Sequence, residues 1–172
     1  MNTEAATRFP MECTLELADA QMVFIFLERP RYGTVDIVVE IRTGIEGIPL
    51  VMKCPRESIY ISYLRMLNSY LAKYITDIYK ADPVQGLPIL GVDTFITYES
   101  MFTMQPRGGS VDEGGFRLIC MVKPTFDNFG FYIGVENNVK FQKCEEFLTQ
   151  LRGIIISLEQ MDIPWVAPPE SE

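Results

Sequence analysis

Adjacent carboxylates at Glu145 and Glu146, the glycine-rich run Gly108-Gly-Ser-Val-Asp-Glu-Gly-Gly115 and four cysteines are the groups of this chain whose types could do chemistry. Glycoside hydrolysis needs two carboxylates facing each other across a cleft, whereas neighbours on a helix point in different directions. Asp36 and Glu40 share one face of an expected strand, where a solvated surface accounts for them. The glycine-rich run lacks the G-x-x-x-x-G-K-[ST] order of a phosphate cradle and opens a strand, not a helix. It also carries Asp112 and Glu113, which would repel phosphate. Cys13, Cys54, Cys120 and Cys144 form no C-x-x-C pair and no zinc spacing. Cys54, Cys120 and Cys144 fall in the apolar phase of expected elements, and the four are expected to be buried free thiols in a reducing cytosol.

The 172 residues include no histidine. That removes the usual general base, the commonest metal ligand and the middle member of a nucleophilic triad. No serine or cysteine sits in a nucleophile elbow. These readings point to a non-enzymatic binding protein without metal or cofactor. Charge indicates the partner. The net charge is −8, divided as −2 over residues 1–86 and −6 over residues 87–172. Such a field repels nucleic acid and anionic membrane and attracts a basic protein surface.

The residues expected to touch that partner are Asp112 and Glu113, as an acidic finger on a mobile loop, with Glu136, Glu145 and Glu146 in the same acidic half. Tyr63, Tyr70 and Tyr74, with Tyr60 extending the row, lie on one helix beside its apolar stripe. They either roof the core or form an alternative surface, since tyrosine is enriched at binding hot spots. Trp165 in Ile163-Pro-Trp-Val-Ala-Pro-Pro169 either docks on its own fold or anchors a partner.

The elements that must hold these groups follow from periodicity. Met22–Leu27 is apolar throughout and ends a strand expected from about Cys13. Arg29-Pro-Arg-Tyr-Gly33 breaks it. Val35, Ile37, Val39 and Ile41 then alternate with Asp36, Glu40 and Arg42, and Ile48–Cys54 makes a third strand. After Pro55, the spacing of Ile61, Leu64, Leu67, Leu71, Ile75 and Ile78 predicts a helix with Ser58 or Ser62 as N-cap, ending at Ala81-Asp-Pro83. Extended stretches at 89–104, 116–123 and 129–135 follow, with Asn137-Asn138 closing the last. A second helix is expected over 141–160, with Glu145 and Glu146 in its first turn. The order β-β-β-α-β-β-β-α implies an α+β fold: an antiparallel sheet of about six strands under two amphipathic helices. The chain divides into a flexible 1–12, one domain over 13–160 and an extended proline-rich tail over 161–172. The halves share an element order without a residue-level repeat. The N-terminus lacks a signal-peptide layout and no apolar run spans a membrane, so a cytoplasmic protein is expected.

Ser62-Tyr-Leu-Arg-Met-Leu-Asn-Ser-Tyr-Leu-Ala-Lys-Tyr-Ile75, Gly115-Phe-Arg-Leu-Ile-Cys-Met-Val122 and Phe141-Gln-Lys-Cys-Glu-Glu-Phe-Leu-Thr-Gln-Leu151, set in this element order, resemble bacterial toxin-immunity proteins of the WapI-type family. The resemblance implies a non-enzymatic inhibitor that binds a cognate toxin and blocks its active site. The acidity of the chain fits a basic toxin, as a nuclease that holds nucleic acid must be. The competing reading is a chaperone or adaptor for a secretion-system or phage component. An exposed methionine-rich apolar surface would favour it. A histidine-free enzyme would instead need convergent carboxylates in a deep pocket.

Overall fold

The alternation of Val35, Ile37, Val39 and Ile41 becomes the buried face of the strand at the centre of an antiparallel sheet. The computed structural model describes residues 8–44, 50–81, 101–124 and 131–164, and the backbone of 96–98. Its elements in chain order are β1 (Met11–Glu16), β2 (Ala20–Phe26), β3 (Thr34–Thr43), β4 (Leu50–Lys53), β5 (Glu57–Tyr60), α1 (Ile61–Lys80), β6 (Ile96–Tyr98), β7 (Phe102–Ser110), β8 (Gly115–Val122), β9 (Ile133–Lys140) and α2 (Phe141–Met161). The first sheet runs β1-β2-β3-β4, with β5 pairing β3 beyond the end of β4. The second runs β6-β7-β8-β9. Every pairing between these strands is antiparallel.

The class is α+β with two amphipathic helices, as the periodicity implies. Strand number and grouping differ from the expectation of one six-stranded sheet. The stretch from Cys13 to Leu27 is two strands, because the chain reverses at 17–19, where the Leu17 amide donates to the Ala20 carbonyl. Pro55 leads into β5 before the helix begins. Asn137 and Asn138 do not end a strand; they lie inside β9, opposite Leu118 and Arg117. Residues 48–49, 89–95, 99–100 and 129–130 of the expected extended segments lie outside the described residues.

Neither helix has a side-chain cap. Ser58 sits in β5, where its hydroxyl donates to Asp36, and Ser62 is already inside α1. Strand runs straight into helix through Tyr60 and Lys140, both extended. The first helical amides are satisfied from elsewhere in the fold: Ile61 donates to the Gly33 carbonyl (2.9 Å) and Phe141 to the Gly114 carbonyl (3.0 Å).

That parallel extends through the chain. Seven of the eight buried positions of α1, at 61, 64, 67, 68, 71, 75 and 78, recur in α2 at 141, 144, 147, 148, 151, 155 and 158, a constant offset of 80; the eighth, Tyr74, matches the half-buried Ile154. Strand β3 pairs Val35 with Ile59, and β8 pairs Phe116 with Val139. Gly33 (φ 76°) and Gly114 (φ 65°) close the equivalent hairpins. The two halves therefore share a meander-and-helix arrangement, the first with one strand more, β4. Tyr79 at the end of α1 packs on Phe141 at the start of α2 (5.0 Å between ring centroids), and Arg65 near the start of α1 pairs with Glu159 near the end of α2. The helices are thus antiparallel. They cross where Asn68 donates to the Leu148 carbonyl (2.7 Å), a bond between equivalent positions, so the local twofold axis passes there.

One apolar core joins both units. Phe24 of β2 meets Phe102 of β7 edge-on (5.4 Å) and Phe147 of α2 (5.7 Å). Burial of each such side chain contributes roughly 1.5–3 kcal/mol. Cys13, Cys54, Cys120 and Cys144 are all free and buried within that core, as the apolar phase of Cys54, Cys120 and Cys144 implied for those three. No described helix is long and apolar enough to cross a membrane.

Candidate functional site

The hairpin joining β7 to β8 carries the acidic pair Asp112 and Glu113. The run expected as a mobile loop is mostly strand: β7 continues to Ser110, bulging between Arg107 and Ser110, and only 111–114 turns. Glycine is needed at the bulge. Gly109 adopts φ 109°, and a Cβ there would stand 2.7 Å from Cβ of Phe116 and 2.8 Å from the Gly115 carbonyl oxygen. Helix α1 fastens the bulge, since the Tyr74 hydroxyl donates to the Gly108 carbonyl (2.8 Å) and its ring packs on Phe116 (5.3 Å). Burial pushes the Tyr74 phenol up to about 12. Within the turn the Glu113 amide donates to Ser110 Oγ (3.1 Å) and the Gly114 amide to the Val111 carbonyl. Asp112 and Glu113 are thus exposed on a hydrogen-bonded turn.

Beside this turn lies a groove of about 580 Å³, floored by Phe116 and Val139 and flanked by Glu113, Arg117, Asn138 and Lys140. The Phe141–Gly114 bond ties the turn to the start of α2, and Glu145 stands one helical turn further on. Asp112, Glu113 and Glu145 have no ion-pair partner among the described residues. Glu136 and Glu146 are engaged. Glu136 faces Arg117 at 3.5 Å. Glu146 accepts from Lys143 (2.8 Å) and Gln142 (3.0 Å), and the Lys143 bond holds its carboxyl below the ordinary carboxylate range. Glu145 and Glu146 fall in the second turn of α2, not the first, because the helix starts at Phe141 and no acidic residue occupies its first turn.

The tyrosine row does not form an exposed face. Tyr74 is buried, while Tyr63 and Tyr70 are half-buried against the core, Tyr63 edge-on to Phe102 (6.3 Å). Only Tyr60 of this group stands out into solvent. Trp165 lies outside the described residues.

Among the described residues no group of three or more His, Cys, Asp or Glu side chains could hold a metal ion. Sequence reasoning missed two features. One is the groove with Arg117 and Lys140, which are distant in the chain and meet only through the β8–β9 pairing. The other is the β2–β3 hairpin, whose Tyr32-Gly33 pair reads as a chain break yet carries a visible signal: an aromatic residue where a two-residue turn favours asparagine or glycine. The sequence matches no protein-family model and no curated protein, so the functional reading rests on geometry and charge.

Proposed function

We propose that this chain is a non-enzymatic binding protein that neutralises a basic toxin domain by direct contact, in the manner its resemblance to WapI-type immunity proteins implies. The observation that carries the reading is a set of carboxylates with no ion-pair partner among the described residues: Asp112 and Glu113 on a fastened hairpin, and Glu145 one turn into the helix to which that hairpin is tied. In a chain of net charge −8 these carboxylates extend a negative field toward solvent. A nuclease that holds nucleic acid must be basic, so the field both steers its approach and complements its surface. The competing chaperone reading calls for an exposed methionine-rich face, and of the described methionines only Met66 is exposed.

Affinity capture of the tagged protein from its native cells tests the reading. A single basic partner should survive washes at both low salt and ~0.5 M salt, where the screening length falls to a few ångströms. Association with that partner should slow by about tenfold at low salt in an Asp112→Lys, Glu113→Lys variant. Several unrelated clients would favour an adaptor, and an unchanged association rate would remove this hairpin from the interface.

A further inference from the structure

The hairpin equivalent to the acidic one, between β2 and β3, has the opposite chemistry. Its tip is Arg29-Pro-Arg-Tyr-Gly33, and Tyr32 and Gly33 form a two-residue turn closed by reciprocal bonds between Arg31 and Thr34. Both turn residues have positive φ, 56° for Tyr32 and 76° for Gly33. Asparagine or glycine is the usual occupant of the first position; a tyrosine is strained there. Strain of this kind persists only where the surroundings over-determine it, and it concentrates at recognition and catalytic sites.

Here the end of α2 supplies the constraint. Arg29 Nε donates to the Met161 carbonyl (2.8 Å), the Tyr32 amide to the Ile163 carbonyl (3.0 Å), and the Gly33 amide to Asp162 Oδ2 (3.0 Å). The effect is to fix the backbone that carries Tyr32, whose side chain stands in solvent: it is 61% exposed, the most exposed of the large apolar side chains described. A cavity of about 300 Å³ opens at its foot, walled by Glu28, Arg29, Arg31 and Asp36. The two acids of that wall are already matched, since Arg56 pairs with both Glu28 and Asp36. Asp162 does not line the cavity. Arg29 and Arg31 therefore face solvent with no carboxylate partner among the described residues.

We propose that this hairpin is a second, preorganised recognition tip that takes an acidic peptide segment of a partner protein, with Arg31 and Arg29 engaging its carboxylates and the Tyr32 ring covering its backbone. The guanidinium fork matches a carboxylate in two parallel hydrogen bonds, and arginine with tyrosine is the composition of interface hot spots. The tip is independent of the acidic hairpin and of the toxin reading that rests on it.

Amide shift mapping of the isotope-labelled full chain tests it, with acetyl-hexaglutamate amide as probe at low salt and acetyl-hexalysine amide and inorganic phosphate as controls. Hexaglutamate should move residues 28–34 and 56–58, and neither control should do so at equal concentration. Arg31→Glu should weaken the binding about tenfold or more. Tyr32→Asn should weaken it severalfold while raising the melting temperature by about 1–3 °C, because asparagine relieves the strained turn. A purely structural turn would gain the stability and lose no affinity, and that result would overturn the proposal. So would equal shifts with phosphate, shifts confined to 111–117, no shifts at all, or concentration-dependent shifts at both hairpins without peptide, which would make a second copy of the chain the occupant.

Discussion

Burial pushes the thiols of Cys13 and Cys144 from 9.0 up to about 12, and raises those of Cys54 and Cys120 for the same reason. A thiol that stays protonated in the core is neither nucleophile nor ligand at neutral pH. All four should be unreactive toward a disulfide reagent in the native protein and titrate together only on unfolding; a fast-reacting thiol in the native state would contradict their placement. The linkage has a definite sign. Below pH 9 both states hold these protons. Between about 9 and 12 the unfolded chain releases them while the folded chain keeps them, so stability falls as pH rises through that window. Urea midpoints at pH 8 and pH 10.5 should show the fall, and a Cys13→Ala, Cys144→Ala variant should show a shallower one. Burial of Cys54, Cys120 and Cys144 was legible from their apolar phase. The left-handed backbone of Tyr32 was not, because nothing in its neighbours says that the end of α2 will clamp the turn.

The helices show how an element depends on both local pattern and distant contact. Their apolar stripes are local, and α1 and α2 form where those stripes place them. Their starts are decided tertiarily: strand feeds helix directly, and a hairpin carbonyl takes the amide that a serine was expected to cap. The point where the helices cross is equally non-local. Asn68, buried at that point, is satisfied by the Leu148 carbonyl. Asn68→Asp keeps the shape and replaces a donor with a charge facing that carbonyl oxygen. Such a group is penalised by desolvation and repulsion together, and we expect a loss of about 2–4 kcal/mol at pH 7. Chemical denaturation checks this, and the loss should shrink at pH 4, where the introduced carboxyl takes up a proton. An unchanged midpoint at pH 7 would mean that the crossing is open to water.

At the scale of the molecule, two units of similar arrangement share one core, and apolar faces find cover across the junction. Helix α2 lies over β1 of the first unit, with Cys13 against the Phe147 carbonyl and Phe24 against the Phe147 ring. A fragment ending at Ala81 would leave that face bare. We expect it not to form a folded monomer; sedimentation and amide dispersion should show an unfolded chain or a dimer that rebuilds the axis with its own second copy. A well-dispersed monomeric spectrum would refute this. The sequence by itself determined the α+β class, the two helices, the buried thiols and the absence of histidine chemistry, because alternation, stripe spacing and composition are properties of neighbours along the chain. Only the tertiary structure decided the division into two sheets, the internal twofold relation and the opposite charges of its two equivalent hairpins. The repeat escapes the letters because packing preserves which positions are buried, not which residues fill them: Leu64 and Cys144, or Asn68 and Leu148, occupy the same place in the fold and share no side-chain chemistry.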